Sequence, residues 1–186
     1  MAAICVFCAS SSTLDQKWLD LATRTGSELA ARGHSLVSGG GCVGMMGAVA
    51  DGARAGGART VGVIPQALVD LEVADTKVDE LVVTDGMASR KVQLIERSDA
   101  FITLPGGLGT LDELFEVWTT AMLEMHRKPV LLFDADGFYA GLLDWVRGLS
   151  KTEFVRASAM SMLMVSRDIG ESLDLIEESL LGEAQR

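Results

Sequence analysis

Basic residues are scarce in this sequence. Sixteen Lys and Arg stand against 26 Asp and Glu in 186 residues, giving a net charge of −10 and a pI near 4.6. Such a chain repels nucleic acid and anionic membrane surfaces on average, so neither is an expected partner. An anionic small molecule would need a local device to overcome that field: backbone N–H groups at a helix N-terminus, with one or two Arg or Lys. Cysteine is rare too, with three residues. The odd count argues against a disulfide framework, and the first ten residues, "MAAICVFCAS", carry no basic region of a leader, so a reducing cytoplasm is the expected setting. Cys5 and Cys8 have C-x-x-C spacing, but inside a strand residues i and i+3 point to opposite faces, which leaves no redox or zinc pair and no metal site. Histidine occurs twice, as His34 and His126, and no G-x-S-x-G elbow accompanies it, so a serine or cysteine nucleophile has little support. No run of 18 apolar residues offers a membrane span, and the three prolines form no linker.

What is present is apolar and periodic. Hydrophobic residues make up 48% of the chain and the mean hydropathy is +0.28, although aromatics are only 5%. That balance points to strands covered on both faces, or to a subunit interface that buries more apolar surface. Strand-like runs alternate with helical patterns: "AAICVFCA", "HSLVS", "RTVGVIP", "ELVVT", "DAFITLP", "KPVLLF" and "MLMVS", separated by helices over about 15–32, from past the glycine cluster to about 57, and over about 87–98, 111–125, 138–150 and 168–181, with 66–78 irregular. The first helix ends at Gly33, a natural residue for the turn past a helix C-terminus. The alternation predicts a single domain over 1–186 of the α/β class: a doubly wound, Rossmann-like parallel sheet with helices on both faces. In such a sheet ligands bind beyond the carboxyl ends of the strands, and two of the turns there are rich in glycine.

The first, "SGGGCVGMMG", fits G-x-G-x-x-G at Gly39, Gly41 and Gly44 in a strand–turn–helix context. A dinucleotide site would also need an acid at the end of the next strand, which ends in Pro65 and Gln66 instead. These glycines either pack backbone tightly or also floor a ligand pocket. The second, "LPGGLGTLDE", opens a helix. Gly106, Gly107 and Gly109 lack a Cβ, so a ligand oxygen can approach the backbone amides, as at a phosphate site. No Lys follows the last glycine, so it is not a Walker A loop. Thr110 and Glu113 read as a T-x-x-E capping box. Glu113 is then either a cap alone or a cap that also does chemistry, and sequence physics leaves the two even. Arg90 and Lys91, basic neighbours in an acidic chain, are either solvated charges or the counter-charge of an anion.

With these pieces placed, the sequence resembles the Lonely Guy family of cytokinin riboside 5′-monophosphate phosphoribohydrolases, often mislabelled lysine decarboxylases. Its hallmark P-G-G-x-G-T-x-x-E is found at 105–113, a G-G-G-x-x-G-x-M-G cluster at 39–47, and M-x-x-R-K at 87–91. The chain departs from many relatives at Leu108, Asp112 and Ala88, which bears on base preference. The resemblance implies hydrolysis of the N-glycosidic bond between an N6-modified adenine and ribose 5-phosphate, with no cofactor. It implies Arg90 and Glu113 as the catalytic pair. It places substrate on Gly106, Gly107, Leu108, Gly109 and Thr110, with Lys91 near the phosphate and Glu72 and Thr119 as further contacts. It also implies a homodimer with the pocket near the subunit interface, acting on a nucleotide monophosphate. Pyridoxal chemistry would need a Schiff-base lysine, for which no motif is present. An AMP nucleosidase without N6 preference, and a nucleotide- or molybdenum-cofactor-binding carrier, are the alternatives.

Overall fold

The computed structural model describes residues 1–184 other than residue 72. Its frame is one seven-stranded sheet: β1 (Ala3–Phe7), β2 (Ser35–Ser38), β3 (Thr60–Pro65), β4 (Glu80–Thr84), β5 (Ala100–Thr103), β6 (Val130–Phe133) and β7 (Leu163–Ser166). The spatial order is β4-β3-β2-β1-β5-β6-β7, and every neighbouring pair is parallel. The chain winds outward from β1 to β4, then returns to lay β5 on the other side of β1. That reversal opens a crevice at the carboxyl ends of β1 and β5, where open α/β sheets bind ligands.

Helices cover both faces, as the near-continuous apolar strands require. On one face lie α1 (Gln16–Ala31), α2 (Gly44–Ala55) and α8 (Ile169–Ala184); on the other lie α4 (Met87–Glu96), α5 (Leu108–Met122), α6 (Ala140–Lys151) and α7 (Ala157–Ser161). The strands feed the two cores alternately. Ile4 and Val6 join the first, while Cys5 and Phe7 join the second; Ile102 and Leu104 likewise oppose Phe101. This period-two alternation sends Cys5 and Cys8 into different cores, and all three cysteines are free thiols.

The α1–α2 crossing is close because glycines stand where side chains would collide. A Cβ on Gly26 would lie 2.1 Å from the Val49 carbonyl oxygen, and one on Gly52 would lie 2.2 Å from that of Thr23. Gly33 follows α1 at φ +75°, the left-handed turn expected from sequence. Two short α-helices were not foreseen. The connection from β3 to β4 holds a single turn of helix, α3 (Gln66–Val69), and then pairs Ala74 with Gly41 in an isolated bridge. The described residues of 66–78 thus hold a helical turn, and Val73, Ala74 and Asp75 bond to the first glycine turn. A five-residue helix, α7, precedes β7.

Candidate active site

A cavity of about 410 Å³ opens at the β1/β5 crevice. It is lined by residues 8–11 after β1, Gly39 after β2, Met46 of α2, Leu68 of α3, Met87 and Arg90 of α4, and Gly107, Leu108, Gly109, Thr110 and Glu113 at the start of α5. Two other clefts have similar volumes, about 420 Å³ beside His126, Arg127 and Lys128, and about 510 Å³ beside Asp134 and Arg167. In them Lys128 donates to the Ile95 carbonyl and Asp134 is paired with Arg167. Of these three, among the described residues, it is the crevice cavity that sets a buried guanidinium and a buried carboxylate beside the open end of a long helix.

Arg90 and Glu113 are the centre of this site. They come from different helices, yet Arg90 Nη1 donates to Glu113 Oε1 at 2.7 Å. Both are buried, at 6% and 8% exposure. The rest of the guanidinium is used as well: Nε donates to the Val63 carbonyl at 2.9 Å, and Nη2 to the Gly39 carbonyl at 3.3 Å. Val63 lies near the carboxyl end of β3, and Gly39 follows β2. The sheet itself thus fixes the arginine, and the arginine fixes the carboxylate. Burial pushes the Glu113 carboxyl above its ordinary range, with the Arg90 charge and hydrogen bond opposing that shift.

The first glycine turn makes this arrangement possible. A Cβ on Gly39 would sit 2.1 Å from Arg90 Nη2. Gly40 adopts φ +73° close against β3, and Gly44 adopts φ +61° beneath the Ser11 carbonyl. The two readings of the cluster therefore fall to different residues: Gly40 and Gly44 serve packing, while Gly39 also lines the cavity.

The second glycine turn differs from its sequence reading in one respect. Thr110 is not an N-cap. The helix begins at Leu108, with Gly107 as the extended cap residue at φ −96°, ψ −150° and no side-chain capping bond. Thr110 instead sits buried over Gly106, whose Cβ would lie 2.1 Å from Thr110 Oγ1. Freed of the cap, Glu113 turns to Arg90, because an ion pair satisfies a buried carboxylate better than one amide would. The first α-helical bond at this end runs from the Leu111 N–H to the Gly107 carbonyl. The N–H groups of Leu108, Gly109 and Thr110 thus have no intrahelical acceptor, and they lie at the positive end of the α5 dipole. Nothing lies within 4 Å of a Cβ built on Gly107 or Gly109, so the backbone there is open to a ligand.

Not every expected contact gathers here. Lys91 lies outside the lining and is bound by Asp112 and Glu116. Thr119 is on a different face of α5, in a groove with Phe115, Trp118, Met122, Trp145 and Phe154. Glu72 lies outside the described residues. Residues 8–11, Met46, Leu68 and Met87 were not among the expected substrate contacts. The rule that ligands bind past strand ends would have found the serine turn, whose Ala9 N–H donates to the Pro105 carbonyl at 3.3 Å and so joins the two crevice loops.

Fold and site together define a class: a doubly wound α/β protein whose switch-point cavity presents helix-end amides for an anion and a fixed carboxylate–guanidinium pair beside them. Comparison with known proteins narrows it. Residues 46–176 match the family described as "Possible lysine decarboxylase". A cytokinin riboside 5′-monophosphate phosphoribohydrolase of Mycobacterium tuberculosis is 49% identical over 170 residues, covering 91% of this chain and 90% of that one. A probable enzyme of the same name from Oryza sativa, LOGL6, is 41% identical over 94% of this chain and 70% of its own length. Among solved structures, a molybdenum cofactor carrier protein from Chlamydomonas reinhardtii superposes with a TM-score of 0.73 at 22% identity, covering 96% of this chain and 98% of that one, which is a likeness of fold. The chain belongs to the Lonely Guy family of phosphoribohydrolases. The decarboxylase description of that family does not fit the cavity: none of the described residues lining it is lysine.

Proposed function

We propose that this protein hydrolyses the N-glycosidic bond of N6-substituted adenosine 5′-monophosphates, the cytokinin riboside monophosphates for which its relatives are named, giving the free base and ribose 5-phosphate. The observation that carries this reading is the buried Arg90–Glu113 pair beside the open amides of α5. In this reading the phosphate accepts from the N–H groups of Gly107, Leu108, Gly109 and Thr110, with Gly106 leaving room for Thr110. Anchoring there makes binding energy available to position the ribose. Cleavage of the bond from the anomeric carbon to the base builds oxocarbenium character on the sugar. The Glu113 carboxylate stabilises that charge and accepts a proton from the attacking water. Water delivers its hydroxyl to the anomeric carbon, and the base leaves with the bonding pair and takes up a proton. Arg90 is always charged and is no acid; it orients Glu113 and the substrate.

We further propose that the protein is a homodimer of the reducing cytoplasm. Among the described residues no helix is long and apolar enough to cross a membrane. Trp145, Phe154, Met122, Leu123 and Met125 are exposed on or near the Thr119 groove, and a second copy would cover them. Thr119 would then serve substrate binding across that interface.

The test compares folded Glu113→Gln and Arg90→Ala with the wild type for base release from N6-substituted AMP, AMP and the unphosphorylated riboside. A drop of about 100-fold or more in both variants is expected for loss of the transition-state electrostatics. Near-normal turnover in either would sink the assignment. Binding without turnover by the wild type would favour a carrier, and equal rates on AMP a plain nucleosidase.

A further inference from the structure

Three consecutive residues lead β5 into the second glycine turn, and each is held by a group from another segment. The Leu104 carbonyl accepts from the Tyr139 hydroxyl at 2.9 Å. The Pro105 carbonyl accepts from the Ala9 N–H at 3.3 Å. Gly106 lies so close to Thr110 that it has no room for a Cβ. Ala9 and Thr110 line the cavity; Tyr139 does not. It is buried in the core beneath α4, α5 and α6, and its place is fixed independently of the glycine turn. Its N–H donates to Asp134 Oδ1 at 2.8 Å, and its carbonyl accepts from the Leu143 N–H at 2.9 Å as α6 begins. Asp134, fully buried just past β6, accepts on its other oxygen from Arg167 Nε and Nη2 at 3.1 and 2.8 Å. Burial pushes the Tyr139 hydroxyl well above its ordinary pKa, with the Gly106 N–H opposing that shift, so the phenol keeps its proton for the Leu104 carbonyl.

We infer that Tyr139 is a positioning residue for the phosphate: by tying the Leu104 carbonyl to the junction of β6 and α6, its hydroxyl sets the direction in which the amides that follow Gly106 face the cavity. This rests on the phosphate reading of those amides in the proposed function. A cradle of backbone dipoles grips an anion only if the dipoles are aimed before it arrives. Without the hydroxyl, the carbonyl of fully buried Leu104 loses its donor, and an unpaired buried carbonyl is costly. The peptide then turns toward another donor, and the amides after it turn too. A bound phosphate has to reverse that turn, so the loss appears as affinity. Glu113 is held by Arg90, which is tied in turn to the Val63 and Gly39 carbonyls. The chemistry at the anomeric carbon therefore survives a change at Tyr139.

The experiment compares two variants with the wild type. Tyr139→Phe keeps the ring and its edge-on contact with Phe138, 4.8 Å between centroids. Leu143→Ala cuts packing one turn later on α6, in the same core, and leaves the hydroxyl in place. Calorimetry gives the affinity for ribose 5-phosphate, thermal melts give Tm, and steady-state assays give kcat and KM on an N6-substituted AMP. Tyr139→Phe should weaken ribose 5-phosphate by about tenfold or more, the scale of one buried polar group left unpaired. KM should rise alike while kcat stays within about threefold, as for an interaction equal in ground and transition states. Leu143→Ala should lower Tm at least as far, yet hold the ribose 5-phosphate affinity within about threefold. Wild-type affinity in Tyr139→Phe would overturn the inference. So would an equal loss of affinity in Leu143→Ala, which would mark general softening of the core, and so would a loss confined to kcat, which would place the effect at Glu113. If the wild type binds ribose 5-phosphate but releases no base, the proposed reaction fails alone and the affinities still decide. If it binds no ribose 5-phosphate, the cradle and the role of Tyr139 fall together.

Discussion

Replacing Gly39 by alanine tests the Arg90–Glu113 pair without touching either partner. The added Cβ would lie 2.1 Å from Arg90 Nη2 and 2.9 Å from Met46 Sδ, where ordinary contact begins at 3.4 Å. The thioether is on a flexible side chain and can swing away. The guanidinium must withdraw by 3.4 − 2.1 = 1.3 Å, yet it is tied to the Val63 carbonyl at 2.9 Å and to Glu113 at 2.7 Å. Two exits exist. If Arg90 is pushed out of register, a buried ion pair is broken, which costs about 3–5 kcal/mol. At about 2–4 °C per kcal/mol for a chain of this size, Tm falls by roughly 6–20 °C. If Arg90 instead swings into the adjoining cavity, the stability loss is smaller but the arginine occupies the substrate's place. Either route lowers kcat/KM for base release by about 100–1,000-fold, the scale of losing one preorganised electrostatic group. Thermal unfolding and steady-state assays on the same preparation distinguish the exits. A Gly39→Ala protein that melts within about 2 °C of the wild type and turns over within about twofold of it would refute the claim that Gly39 exists to admit the arginine.

Three further outcomes are expected. Because burial raises the Glu113 pKa, its contribution to stability is present below the ordinary glutamate value and is lost as pH rises through the raised folded value, while activity, which needs the carboxylate, appears over that same rise; a pH–rate profile with no acid limb above the ordinary glutamate range would contradict this. Gly109→Ala meets nothing within 4 Å and should hold or raise stability, by up to about 1 kcal/mol, while weakening affinity for ribose 5-phosphate, whereas Gly106→Ala collides with Thr110 and should destabilise in a urea titration. Phe154→Asp, at a residue 83% exposed beside the apolar groove, should convert the proposed dimer to monomer in light scattering, and an unchanged mass would remove the groove from the proposed interface.

The sheet was legible because burial on both faces writes strands as short apolar runs, and turn residues bound each one. All seven strands lie where those runs predict, and the switch point follows from the winding. The residues of the two glycine turns were legible as motifs. Their division of labour was not, since no local pattern reports that Gly39 stands against a guanidinium 51 residues away in sequence. The cap failed for a related reason. T-x-x-E names a helix start by side chains, but the chain enters α5 through the backbone of Gly107, and the carboxylate goes to a partner 23 residues away. Charge alone left Lys91 either a solvated cation or the counter-charge of an anion, and the third dimension adds that two acids, Asp112 and Glu116, hold it. Helix α7 is five residues long, too short to show a helical period.

The open amides of α5 carry one more consequence. A site made of lysines and arginines attracts phosphate through full charges that dissolved ions screen, and it loses affinity steeply as ionic strength rises. Backbone N–H groups are dipoles at contact distance, and Arg90, which lines the same cavity, is already committed to Glu113. In an acidic chain the proposed site would give a selective grip: a phosphate ester would be held by shape and close contact rather than drawn in from afar, so its capture should not weaken steeply with salt, and polyanions would find no long-range pull toward the crevice.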